Sequence, residues 1–323
     1  MFCLIKSIVN RGLQAVDIAL HLGAHRCATT TFQTFLDQNR QQLAGHGVQV
    51  WTPANTRAGL FDGLICPPDQ DATREIARAR TMAAGLQASQ LVVSEENMIG
   101  TPRNNLAVGA LYPGLTPRLQ RFEQVFKGQV RRIGLAIRSY ESYWVSTMSY
   151  AAIRGHALPD RAACAALATQ QRSWTDIASE IRALFPSVPL HIWLFEVFAN
   201  RPRRQFNMLS GRQDITHLLD QTPAWKNTSR TARQLRKRLK AQGRLSELAL
   251  LPLGDQRWQP FTSLEQHHMA GRYADDIAYF RSGTDPLIQF TQNAAIKVLR
   301  RNNTRATPAF DIGEYHDGHA EMG

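Results

Sequence analysis

The sequence predicts an α/β fold built on a parallel sheet, and three observations carry that prediction. Short apolar runs recur at Ile18–Leu22, Gly47–Trp51, Leu91–Val93, Ile133–Ile137 and Leu190–Leu194. Between them, helical periodicity marks Thr29–Leu43, Ala72–Leu86, Pro117–Phe126, Tyr140–Ile153 and Trp174–Leu184. Strands that alternate with helices are joined by crossovers, which make parallel neighbours. From Asn200 onward the strand signal fades, so a helical C-terminal layer is expected against the sheet rather than an independent domain. The loops are Gly63–Asp71, with Pro67-Pro68, and Thr101–Pro117, which shows no clear period.

The first element carries the most chemistry. Ile18–Leu22 reads as a buried strand that breaks at Gly23 and passes Arg26. Thr29-Thr30-Thr31 then opens a helix with Phe32, Phe35 and Leu36 on one face. Orphan amides of a first helical turn, the helix dipole, an arginine and threonine hydroxyls together make an anion cradle. A nucleoside-triphosphate loop needs Gly-x4-Gly-Lys-Ser/Thr. Counting from Gly23 puts Ala28 at the second glycine and Thr29 at the lysine. The dinucleotide pattern lacks its glycines.

The segment instead resembles the 5′-phosphosulfate loop of sulfotransferases that use 3′-phosphoadenosine 5′-phosphosulfate (PAPS). That pattern is roughly His-x-Gly-x-x-Lys-Thr-Gly-Thr-Thr, and His21, Gly23, Thr29 and Thr30 match it in place. Arg26, Cys27 and Ala28 depart from it. Arg26 keeps the charge, as in the branch that acts on protein tyrosines, but it cannot release a proton near neutrality. Ala28 tolerates less φ freedom than glycine and suggests a loop already near-helical there. Cys27 reads as a small filler.

Two further segments extend the resemblance. Ile133–Ile137 ends in Arg138, a helix follows behind Ser139, and Ser146 lies eight residues after the arginine. Two helical turns span about 7.2 residues, so Ser146 returns to the side of the helix start. In the family an arginine and a serine at this spacing hold the cofactor's 3′-phosphate, and bidentate geometry suits arginine to that task. Leu91-Val92-Val93 runs into Ser94-Glu95-Glu96-Asn97, similar to the Ser-x-Glu strand end of carbohydrate-directed members. There a carboxylate acts as general base, which aligns with Glu96 first and Glu95 second.

The resemblance covers about residues 17 to 200. It implies a P-loop-type three-layer sandwich with a central parallel sheet, PAPS as sulfuryl donor and no metal. Residues His25 to Thr31 (His25, Arg26, Cys27, Ala28, Thr29, Thr30 and Thr31) would cradle the donor, with Arg26 also stabilising developing charge. A late loop and helix close over the nucleotide in this family, and Asn227, Ser229 and Arg230 are the candidates here, with Lys226 beside them. The acceptor is a hydroxyl compound, with a sugar or lipid as first choice. Glu196, after the fifth strand, reads as a structural partner for a basic residue.

Composition agrees with an anionic ligand. The 323 residues include 38 Lys and Arg against 26 Asp and Glu, a formal charge of +12. Cys3, Cys27, Cys66 and Cys164 form no CxxC pair and read as reduced thiols, so a cytoplasmic setting is expected. No apolar run reaches about 18 residues, and no transmembrane segment is expected. Residues 1 to 16 form an N-terminal extension that is basic and weakly apolar, with room for a peripheral surface contact. Residues 17 to 301 make the α/β domain and 302 to 323 a flexible tail. His267 and His268 read as surface residues without metal spacing.

One feature stands apart from the sulfotransferase pattern. Asn227-Thr228-Ser229-Arg230 reads as a helix cap, and Arg230, Arg233, Lys237, Lys240 and Arg244 step by three or four into a basic stripe, with Leu235 and Leu239 facing inward. Two rival functions therefore remain open. An ATP-dependent small-molecule kinase with a degenerate P-loop predicts magnesium-dependent ATP binding. A non-catalytic polyanion-binding protein predicts steeply salt-dependent binding through the stripe. The resemblance itself predicts no nucleic-acid partner.

Overall fold

Strand β1, Asp17–His21, is buried on both sides, and this sets the layering. Ile18 and Leu20 join one core, whereas Ala19 joins a second core with Phe32, Phe35, Phe206 and Leu209. A strand apolar on both faces belongs inside a parallel sheet. The protein is described here by a computed structural model covering residues 16–65, 71–220 and 230–293. These described residues form one compact unit. The N-terminal extension before Val16, the Pro67-Pro68 loop segment and the proposed tail 302–323 lie outside the described residues.

Five more strands complete the sheet: β2 Val48–Trp51, β3 Gln90–Ser94, β4 Val130–Ile137, β5 Leu190–Leu194 and β6 Ile288–Thr291. Their order is β2-β3-β1-β4-β5-β6, with every neighbouring pair parallel. The longer helices are α1 Thr29–Gln38, α2 Arg40–Gly45, α3 Thr73–Ala84, α4 Pro102–Val108, α5 Leu115–Val125 and α6 Tyr140–Ile153. They continue with α7 Arg161–Thr169, α8 Trp174–Leu184, α9 Pro202–Ser210, α10 Ala232–Ala241 and α11 Ser263–Ser282. Helices α1 and α9 cover one face of the sheet, and α3, α5, α6 and α8 pack in the core of the other. The result is a three-layer α/β sandwich. No described helix is long and apolar enough to cross a membrane.

Several boundaries differ from the sequence reading, each for a local reason. The helix expected over Thr29–Leu43 breaks at Asn39. The Asn39 Nδ2 donates to the Phe35 carbonyl at 2.8 Å and to the Asp220 carbonyl at 3.1 Å, so the side chain competes with the helical ladder. The expected loop after Thr101 contains α4, started by a Thr101 cap and Pro102 and closed by Gly109 at φ 72°. Strand β6 went unread because Gln289 interrupts four residues that carry only two apolar side chains. The C-terminal layer is helical, with that one edge strand added.

The order has one consequence for function. From β1 the chain crosses to β2 and returns to β3 on one side, then passes to β4 on the other side of β1. The C-terminal end of β1 is thus the topological switch point, where open α/β sheets bind ligands. The turns after β1, β3 and β4 converge there, and they carry the Gly23–Thr31 loop, Glu95-Glu96 and Arg138.

Candidate anion-binding site

The loop after β1 is shaped by left-handed residues. Gly23 has φ 94°, and a Cβ there would sit 3.0 Å from the Glu96 Cβ, so glycine lets the loop approach the β3 turn. The Ala24 amide donates to the Ala136 carbonyl at 3.0 Å, tying the loop to β4. Arg26 and Ala28 have φ 63° and 62°. The near-helical Ala28 expected from sequence is therefore corrected: Ala28 is left-handed and forms the N-cap of α1. The conformation turns the chain sharply into the helix, at a cost of about 1–2 kcal/mol for a residue with a Cβ. Ala28 supplies no side-chain cap, and Thr29 and Thr31 are buried.

On the β4 side three guanidinium groups gather. Arg26 Nε donates to Ser146 Oγ at 3.0 Å, and its guanidinium lies 4.7 Å from the centre of the Tyr150 ring. Arg138 is buried, donates from Nη1 to the Arg26 carbonyl at 2.6 Å, and stacks on Phe195 at 4.1 Å. Arg257 donates from Nη1 and Nη2 to Ser142 Oγ and to its carbonyl, both at 3.1 Å. Ser142, Ser146 and Tyr150 are one turn apart on α6, so a single helix stripe receives Arg257 and Arg26. Among the described residues none of these three arginines forms an ion pair. Within the same set the buried Nε atoms of Arg138 and Arg257 have no hydrogen-bond partner.

Burial lowers the pKa of Arg138 to about 10 and also lowers those of Arg26 and Arg257, with all three still charged at pH 7. Withdrawing cations from water without a counter-charge costs several kcal/mol per ion unless an anion completes the site. The Ser146 expected to join Arg138 directly is instead engaged by Arg26, and all three share one cluster.

The β3 side carries the carboxylates. Glu95 is fully buried; its Oε2 accepts from Thr56 Oγ1 at 2.6 Å and Arg57 Nε at 3.0 Å, and its Oε1 from Arg57 Nη2 at 2.7 Å and the Asn97 amide at 3.1 Å. Four donors leave it a structural anchor. Glu96 faces the loop, with Oε1 accepting from Arg57 Nη2 at 2.9 Å and Oε2 from Gln33 Nε2 at 2.7 Å. Burial opposes its charge, but the Arg57 guanidinium bonded to it outweighs that and holds the carboxyl below its ordinary range.

Between the two sides sits His25. Its amide donates to the Tyr112 hydroxyl at 2.8 Å, its Nδ1 lies 3.1 Å from the same oxygen, and its Nε2 lies 3.1 Å from Asn97 Oδ1. Burial lowers its pKa, leaving a neutral ring with both nitrogens occupied. Tyr112 itself has φ 41°, an outlier for a bulky residue. His21 lies below the loop, bonded to Ser94 Oγ at 2.8 Å and packed between Phe32 and Trp193, and burial lowers its pKa to about 4. Burial pushes the Cys27 thiol up to about 12, as suits a filler.

The C-terminal candidates separate. Asn227 and Ser229 lie outside the described residues, as does Lys226, and Arg230 is exposed. The cap of α10 is Thr231 in a capping box with Gln234, not the expected Asn227–Arg230 stretch. Leu235 and Leu239 are fully buried. Arg244 lies beyond the helix end and pairs with Glu247 at 2.6 Å. Glu196 accepts from the Ser139 amide and from Tyr273, both at 3.0 Å, and among the described residues it forms no ion pair with a basic residue. Sequence reasoning missed Arg57, Gln33, Tyr112 and Arg257, none of which belongs to a motif. Gln33 alone had a signal, one turn after Thr29 on the helix that faces the site.

The chain was compared with protein-family models, curated proteins and solved structures, and it matches none of them. Among the described residues no group of three or more His, Cys, Asp and Glu side chains is arranged to hold a metal.

Proposed function

We propose that this protein is a PAPS-dependent sulfotransferase that moves a sulfuryl group to a hydroxyl of a sugar, a lipid or another small acceptor. One observation carries the reading. Buried Arg138 and half-buried Arg26 and Arg257, which form no ion pair among the described residues, and a held carboxylate flank the same loop at the switch point of the sheet. The residues fit a nucleotide with separate anionic groups. Arg138, Arg257 and Ser146 would hold a terminal phosphate, and Arg26 with the opening amides of α1 would hold the 5′ anion. The nucleotide supplies an activated sulfuryl group.

The protein's own residues do the rest. Arg57 and Gln33 fix the two oxygens of Glu96, which takes the proton of the acceptor hydroxyl on its carboxylate. Arg26 and the helix start face the negative charge that grows on the departing phosphate, without needing to reorganise. His25 is occupied on both nitrogens and serves the shape of the loop, which leaves Glu96 as the base.

The test is transfer of radiolabelled sulfate from PAPS to a panel of glycan and lipid hydroxyl acceptors. The reading expects labelled product whose rate of formation Glu96→Gln lowers on the order of 10²–10⁴-fold. Stabilisation by ATP with magnesium, with none by the bisphosphate nucleotide, would instead indicate a kinase.

A further inference from the structure

The basic helix α10 and the segment that follows it form a surface that lies outside the anion site except at its far end, Arg257. Leu235 and Leu239 bury its inner face, while Arg233, Lys237, Arg238 and Lys240 are exposed. Among the described residues only Arg233 of these four has an ion pair, with Asp255 at 3.0 Å.

The chain then runs back antiparallel along the same helix, fastened at several points. Arg236 Nη1 donates to the carbonyls of Leu248 and of Leu251, the latter at 2.7 Å. The Arg233 amide donates to the Gly254 carbonyl at 3.1 Å and the Ala232 amide to the Gln256 carbonyl at 2.9 Å. Thr231 pairs with Arg257.

This strap holds apolar side chains in water. Leu245, Leu250 and Leu253 are 60%, 48% and 79% exposed. Isolated exposed leucines need no explanation, but here three are fixed within nine residues, on a strap bonded to a helix whose Lys237, Arg238 and Lys240 form no ion pair among the described residues. Exposed aliphatic groups on a strap bonded to a basic helix suit a bilayer that carries negative headgroups: the leucines enter the acyl boundary and the cations meet the surface charge. Nucleic acid and sulfated polysaccharide reward the cations but offer nothing to aliphatic tips.

We infer that the α10 strap is a docking surface for an anionic lipid bilayer. The occupant is the bilayer surface itself. Because Arg257 at the strap's end reaches Ser142 of the anion site, the docked face adjoins the proposed catalytic region.

The test is co-sedimentation of the full chain with vesicles of phosphatidylcholine alone, or of phosphatidylcholine with phosphatidylglycerol, in parallel with heparin and duplex DNA. Binding is expected to the phosphatidylglycerol vesicles only, and to weaken as salt rises. Leu250→Ser with Leu253→Ser should weaken it at least tenfold, since one buried leucine alone contributes that much. Both sites are exposed, and a thermal melt checks that the variant folds. Lys237→Glu with Lys240→Glu should abolish vesicle binding. Absence of vesicle binding in the wild type overturns the inference, as does full binding by the leucine variant. Capture by heparin or DNA that ignores the leucine changes, without vesicle binding, would make the surface a polyanion site instead. None of these outcomes depends on PAPS.

Discussion

Arg57 Nη2 donates to Glu95 Oε1 at 2.7 Å and to Glu96 Oε1 at 2.9 Å, so one guanidinium nitrogen joins two adjacent carboxylates. The two acids nevertheless have different environments. Glu95 is enclosed by four donors, while Glu96 keeps its face to the loop.

That difference gives the first prediction. Glu96→Gln should leave nucleotide binding unchanged and lower turnover on the order of 10²–10⁴-fold, the worth of a positioned base. Glu95→Gln should act on the fold, with a loss on the order of 2 kcal/mol in chemical denaturation, because a buried network loses its charge and one of its two acceptor oxygens becomes a donor facing donors. Equal effects of the two changes on turnover at unchanged stability would remove the division of roles.

Buried histidines predict the pH dependence of stability. Burial lowers the pKa values of His21 and His191 to about 4, against 6.5 in an unfolded chain. Between those values the unfolded state binds more protons, so stability rises with pH and falls on acidification below 6.5. At pH 5 the loss is on the order of 2 kcal/mol for each histidine. Thermal melts at pH 7, 6 and 5 should show a steady decline, and His191→Gln should flatten it. A Tm unchanged from pH 7 to pH 5 would contradict the burial of these rings.

Tyr112→Phe keeps the packed ring and removes the hydroxyl that bonds His25 twice. With Nε2–H donating to Asn97, the neutral ring of the wild type carries its proton on Nε2 and accepts on Nδ1. Imidazole nitrogen NMR should show that tautomer and its loss in the variant, with affinity for adenosine 3′,5′-bisphosphate reduced about tenfold, as for one or two lost hydrogen bonds. An unchanged His25 spectrum would show that the phenol does not set the ring.

Much of this architecture was legible in the sequence because its signals are local. Tyr140–Ile153 and Trp174–Leu184 were bounded to the residue. The second is opened by a Ser173–Asp176 capping box, which a linear reading can find. The site was legible where residues fall within a single strand–turn–helix unit, as Arg26, Glu96, Arg138 and Ser146 do. Arg57 and Arg257 were not, because each reaches the site from an irregular segment and only the tertiary fold brings it there. Ala28 misled for another reason: a left-handed alanine runs against its own propensity, and the surrounding structure imposes it.

The most direct test is a calorimetric titration of the wild type and Arg138→Ala with adenosine 3′,5′-bisphosphate and with adenosine 5′-monophosphate. The account predicts that the wild type binds the bisphosphate and prefers it at least tenfold over the monophosphate, one charge-assisted contact being worth about 1.5–3 kcal/mol. It also predicts that Arg138→Ala loses that preference while its melt stays cooperative. Equal affinity of the wild type for the two nucleotides would contradict it.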